Sequence, residues 1–235
     1  FADHFVFTYK ADQQEPLYLV KASLFGTPEI SANGVRIPDT EWKTKKVKAL
    51  LEYLLFNSGN TVSKEQLAEL LWPEADSRAA TASLRTALYH LRKILSKYQV
   101  EVAGKNAFLQ ETLEGLQIRK NAALELDVHE FLRLCHECSL LAKQAPQTDQ
   151  RSAELLKRMI ELYKGDLMEG GDYGDAIFHE RERLKTIFIE ACQKLSGIYT
   201  EQAELQQAEE ILRRAFAAEP YDEAICLKLL ELYMA

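Results

Sequence analysis

Cys192, Leu195 and Tyr199 recur as Cys226, Leu229 and Tyr233, each pair 34 residues apart. This spacing constrains the fold more than any other feature, because it is the length of a tetratricopeptide helix pair, a unit that buries its apolar face only by stacking on neighbours. The residues between fit the second helix of such a unit. Ala208, Leu212 and Ala215 fall on one face, where small side chains let paired helices approach, and Pro220 closes the unit. Residues 127–143, 149–164, 177–202, 205–218 and 221–234 all read as amphipathic helices joined by short polar or Gly/Pro segments. No strand is expected from about Asn121 onward. The first helix pair, 127–164, matches the repeat less well and has a longer connection around Pro146, so it reads as a degenerate copy.

The first half has a different rhythm. Short β-like runs at residues 17–25, 29–30 and 35–37 are broken by Gly26, Pro28 and Asn33-Gly34, which predicts a small antiparallel sheet with tight turns. Val47, Leu50, Leu51, Leu54 and Leu55 then recur at helical spacing, ended by Ser58-Gly59-Asn60. Ser63-Lys64-Glu65-Gln66 is a capping box ahead of Leu67, Leu70 and Leu71, and that second helix stops at Trp72-Pro73. A third helix, capped by Asp76 or Ser77, runs to about Lys97 with an apolar stripe of Leu84, Leu88, Leu91 and Leu95. Residues 100–103, Gly104-Lys105-Asn106, residues 107–110 and residues 115–118 follow as β-like runs with turn residues at the joints, which predicts a β-hairpin. Strands, three helices and a hairpin in that order make a winged helix-turn-helix, whose third helix can enter the major groove. The predicted fold is therefore mainly α: a winged helix with a small antiparallel sheet and a wing, followed by an all-α tetratricopeptide-like repeat domain. The boundaries read as a linker or extension at 1–20, a DNA-binding domain at 21–120 and the helical domain at 121–235.

Charge follows the same division. The formal net charge is −7, yet residues 21–105 carry 13 basic and nine acidic side chains, while residues 106–235 carry 15 and 24. No acid lies between Asp76 and Glu101, and Arg78, Arg85, Arg92, Lys93 and Lys97 all fall there. Arg and Lys pair with phosphates and guanine edges, and Thr and Tyr can hydrogen-bond to either. Arg78, Arg85, Thr86, Tyr89, Arg92 and Lys93 are therefore the candidate contacts of the third helix. Lys45 at the start of the first helix, among Lys43, Lys46 and Lys48, and Lys105 with Asn106 in the wing region complete the set.

These stretches in this order resemble the Streptomyces antibiotic regulatory protein (SARP) family, an OmpR-like winged helix followed by a bacterial transcriptional activator domain. The resemblance covers roughly residues 22–235. It is carried by Ser23-Leu24-Phe25-Gly26 with Asn33-Gly34, residues 45–55 and 62–72, Ala82-Ser83-Leu84-Arg85, and Leu91-Arg92-Lys93-Ile94-Leu95. In the second half it rests on Asp127-Val128 with Phe131, Glu161-Leu162-Tyr163-Lys164-Gly165-Asp166-Leu167, Glu180-Arg181-Glu182-Arg183-Leu184, and Glu219-Pro220-Tyr221. The resemblance implies a transcriptional activator that binds direct repeats in double-stranded promoter DNA and contacts RNA polymerase; a homodimer stays open. The chain departs from the family in a longer and more acidic wing region, with Glu111 and Glu114 towards its tip, and in an array short of its final helices.

Other chemistries find little footing. Cys135-His136-Glu137-Cys138 with His129 nearby has a CxxC spacing, but no second pair supplies four zinc ligands, and Cys192 and Cys226 hold repeat positions. His179-Glu180 begins a zinc-protease-like helix motif, yet Arg183 stands where the second His belongs. Gly170, Gly171 and Gly174 lack the lysine of a phosphate loop and read as a turn. No nucleophile, base and orienting group can be named together, so neither an enzyme nor a cofactor is expected. Four cysteines suit a reducing compartment, and without a membrane-length apolar run or a signal peptide a cytoplasmic location is expected. A start on Phe1 and an end inside an apolar helical pattern suggest a fragment. The rival reading is a tetratricopeptide interaction scaffold whose winged helix does not bind DNA.

Overall fold

A computed structural model describes residues 19–100, 108–119, 122–142, 150–171 and 173–234. The chain divides into two compact units, one of residues 1–21, 30–69 and 74–124 and one of residues 22–29, 70–73 and 125–235. The strand order of the larger sheet is β3-β2-β1-β6, with β1 at Leu19–Ser23, β2 at Glu29–Ala32, β3 at Val35–Arg36 and β6 at Ala123–Leu126. Strand β6 is a departure from the sequence reading, which placed no strand beyond Asn121. Its Ala-Leu-Glu-Leu run favours helix by composition, and pairing with β1 overrides that preference.

In the first unit α1 (Lys45–Phe56), α2 (Lys64–Leu71) and α3 (Ser77–Lys97) follow the strands. Each helix begins on its cap. Thr44 Oγ1 accepts from Val47 N at 3.3 Å, Ser63 and Gln66 exchange the two bonds of the capping box at 3.0 and 3.2 Å, and Asp76 Oδ1 accepts from Ala79 N at 2.9 Å. The apolar stripe of α3 is buried as its spacing requires, with Ala80, Ala87 and Ile94 joining the four leucines against α1. The wing is a hairpin of β4 (Leu109–Glu111) and β5 (Leu116–Ile118), Leu109 opposite Ile118 and Glu111 opposite Leu116. Its turn is Thr112-Leu113-Glu114-Gly115, closed by Thr112 N to Gly115 O at 2.8 Å, between the expected runs 107–110 and 115–118; Gly104-Lys105-Asn106 lies outside the described residues.

The second unit is an array in which α4 (Asp127–Leu141), α5 (Gln150–Leu162), α6 (Asp175–Glu201), α7 (Leu205–Ala218) and α8 (Glu223–Met234) each pack on their neighbours in sequence. Cys192, Leu195, Ala208, Leu212 and Ala215 are buried, which is the tetratricopeptide-like packing their spacing predicts. The motif segments that flank the array form one knot of hydrogen bonds. Phe25 bridges Leu167, Met168 N donates to Leu24 O at 2.7 Å, and Gly26 N donates to Asp166 O at 2.9 Å. Gly26 at φ +74° and Gly165 at φ +151° approach so closely that a Cβ on either would crowd the other's segment, at 3.3 Å from Lys164 O and 3.1 Å from Gly26 Cα. Arg181 donates to Leu167 O and Met168 O at 2.7 Å each, and Arg214 to Ile160 O at 2.8 Å. Tyr163 stacks on Phe188 with ring centroids 4.1 Å apart.

No helix among the described residues is long and apolar enough to cross a membrane.

Candidate nucleic-acid interface

Helix α3 runs for 21 residues without Gly or Pro, so one face can be buried along its whole length while the other is presented intact. On that outer face Arg78, Arg85, Thr86, Tyr89 and Lys93 are exposed, and the Arg92 side chain retains 40% of its accessible surface. Tyr89, a large aromatic at 65% exposure, packs edge-on against His90 with ring centroids 5.4 Å apart. Arg85, Tyr89, Arg92, Lys93 and Ser96 line one shallow concavity. Four of the candidate residues from the sequence are thereby brought together. Thr86 stands beside them and donates its hydroxyl to Ala82 O at 3.1 Å, leaving oxygen lone pairs free to accept. Arg78 is exposed in the first turn of the same helix, and Lys45 is exposed in the first turn of α1; neither lines the concavity. Lys105 and Asn106 lie outside the described residues.

Among the described residues no carboxylate pairs with Arg78, Arg85 or Lys93, so these charges face solvent. Several other cations of the unit are paired. Lys48 is bound to Asp39 at 2.7 Å and Lys97 to Glu41 at 2.6 Å, which takes Lys48 out of the lysine cluster that opens α1. Arg92 Nη2 lies 3.4 Å from Glu111 Oε2, and Lys64 Nζ donates to Glu111 Oε1. The hydrogen bond from Lys64 holds the Glu111 carboxyl below the usual glutamate range against the opposing effect of burial, with the charge of Lys64 and the hydrogen bond and charge of Arg92 adding to it. Sequence reasoning missed Lys64, which reads there only as one position of a capping box. Its partner is 47 residues away on the wing, beyond the reach of any local pattern.

A larger groove in the second unit is lined by both cysteines of the CxxC segment, Cys135 and Cys138, together with Leu156, Met159, Lys194 and Gly197. Burial pushes both thiols up, Cys138 to about 11, so they are protonated at neutral pH and unsuited to act as thiolates.

Stripe, concavity and wing share one edge of the first unit: a helix with cationic and hydrogen-bonding side chains outward, buttressed from behind by leucines. That arrangement suits a groove lined with phosphates and base edges. Residues 40–103 match the family described as transcriptional regulatory protein, C terminal, and residues 126–235 match the bacterial transcriptional activator domain. No curated protein matches the sequence. The solved structure of Mycobacterium tuberculosis EmbR in complex with a low-affinity phosphopeptide has the same fold over 93% of this chain, with a TM-score of 0.70 at 19% identity. This chain spans 55% of that one. With both family matches in order on one fold, the chain fits a SARP-type transcriptional regulator, an OmpR-like winged helix joined to a bacterial transcriptional activator domain.

Proposed function

We propose that the chain is a sequence-specific activator that binds double-stranded promoter DNA through residues 21–120 and recruits RNA polymerase through the helical domain at 121–235, with residues 1–20 as a linker. It acts by binding, without a catalytic step, in the cytoplasm. Helix α3 enters the major groove, where Arg85, Thr86, Tyr89 and Arg92 bond to base edges or phosphates. Arg78, Lys93, Lys45, Lys105 and Asn106 hold the backbone. The observation that carries this reading is the outer face of α3, where the unpaired cations Arg85 and Lys93 and the exposed Tyr89 line one concavity.

The test is fluorescence-anisotropy titration of the chain against a pool of random duplexes at two salt concentrations, followed by sequencing of the retained DNA. Retention with a steep salt slope and an enriched direct repeat is expected. The double variant Arg85→Ala, Arg92→Ala should weaken binding to the selected site by about 1–3 kcal/mol for each base that the missing guanidinium had read. Undiminished affinity in that variant removes these two residues from the interface. No retention at low salt favours an interaction scaffold instead.

A further inference from the structure

Three charged groups meet beside the turn of the wing, each from a different element: Lys64 in the first turn of α2, Arg92 on the outer face of α3 and Glu111 at the end of β4. The two oxygens of Glu111 are divided between the helices, Oε1 accepting from Lys64 and Oε2 facing Arg92 at 3.4 Å. Their side chains are 39%, 40% and 47% exposed for Lys64, Arg92 and Glu111, so the cluster lies open to solvent beside the concavity of α3. Backbone structure fixes the carboxylate there. Glu111 is paired in register with Leu116, and Leu116 exchanges two hydrogen bonds of 2.8 Å with Val62, directly ahead of α2. Glu114 sits in the exposed turn of the same hairpin and has no ion-pair partner among the described residues.

An oxygen anion held by an ammonium from one helix and a guanidinium from another has the partners a phosphodiester oxygen takes at a protein–DNA contact. Resting on the DNA-binding reading, we infer that Lys64 and Arg92 form a phosphate subsite which Glu111 occupies in the free protein, so that a DNA phosphate enters by displacing the wing's own carboxylate. One acid of the acidic wing is then a competitor at one defined point. Lys64 becomes a backbone contact, and Glu111 a brake on the grip of any duplex. Exposed pairs of this kind are weak enough for a phosphate to displace.

The experiment titrates random-sequence duplex into the whole chain carrying Glu111→Gln, Glu114→Gln, or Glu111→Gln on a Lys64→Met, Arg92→Met background, each compared with its parent. Glutamine keeps the size of Glu111, and a melting curve on each variant verifies folding. Glu111→Gln is expected to tighten binding about 3- to 10-fold, the size of freeing one or two weakly paired cations. It should also steepen the slope of log affinity against log salt by about one. Glu114→Gln, which removes the same charge from the same hairpin, should change affinity less than about twofold, as expected of a screened charge without a partner. On the Lys64→Met, Arg92→Met background the effect of Glu111→Gln should shrink to that of Glu114→Gln. Equal effects of Glu111→Gln and Glu114→Gln in the parent chain overturn the subsite, as does a full gain that persists without Lys64 and Arg92. A parent chain that binds no duplex at low salt overturns the DNA-binding reading and the subsite with it.

Discussion

Asp127 opens α4, but its carboxylate chiefly serves a segment more than a hundred residues earlier in the chain. Oδ2 accepts from Ser23 Oγ at 2.7 Å and Phe25 N at 3.1 Å, while Oδ1 accepts from Leu24 N at 2.7 Å and Val128 N at 2.8 Å. Leu24 and Phe25 are fully buried, so water cannot replace the acceptor for their amides. A hydrogen bond to a charged group is worth about 1.5–3 kcal/mol, and a buried amide left unpaired costs about 1–3 kcal/mol. Asp127→Ala should therefore lower unfolding stability by about 3–5 kcal/mol, with Asp127→Asn, which keeps one acceptor oxygen, losing about half as much. Urea titrations with an unchanged m-value would measure both. A loss below about 1 kcal/mol for alanine would mean that the amides find another partner. In the sequence, Asp127-Val128 with Phe131 is visible only as part of a family resemblance, because hydrogen bonds over that separation leave no periodic trace. The same holds for Arg181, whose guanidinium closes on the carbonyls of Leu167 and Met168.

At the scale of elements, what was legible in advance is what local chemistry decides. The capping box at Ser63, the cap at Asp76 and the leucine stripe of α3 depend on residues three or four apart, and all formed where the spacing placed them. The 34-residue recurrence likewise foretold buried Cys192 and Leu195. Strand β6 depends on its pairing with β1, which composition alone does not show. Gly115 shows how strongly a pairing partner acts. It has φ +155°, and a Cβ there would lie 2.1 Å from Val62 O and 2.7 Å from Val62 C, inside the bridge that ties β5 to the start of α2. Gly115→Ala must break this bridge or distort the hairpin, at a cost of about 2–4 kcal/mol. Hydrogen exchange should then quicken at the amides of Val62 and Leu116 while those inside α3 keep their relative protection. Unchanged exchange at both amides together with an unchanged melting temperature would show that the bridge is not a fixed part of the fold.

Across the whole molecule, charge is divided as unevenly as secondary structure. Residues 21–105 carry a surplus of four positive charges and residues 106–235 a surplus of nine negative ones. An average of −7 would keep such a chain off DNA if electrostatics acted at long range only, but at 0.1 M salt the Debye length is about 10 Å and contacts at a groove feel chiefly the cations of α3. As salt falls to 0.01 M that length grows to about 30 Å, and more of the chain's surplus negative charge acts on a bound duplex. Affinity for a selected DNA site should therefore rise steeply as salt is lowered from about 0.3 to 0.1 M, following counterion release, and then flatten towards 0.01 M. Anisotropy titrations across that range would trace the curve. Replacing several exposed acids of the helical domain, such as Glu190, Glu201 and Glu210, with Gln should straighten its low-salt end and leave the slope above 0.1 M unaltered, because no phosphate contact changes. A line already straight down to 0.01 M in the parent chain would mean that the acidic surplus exerts no field at the DNA.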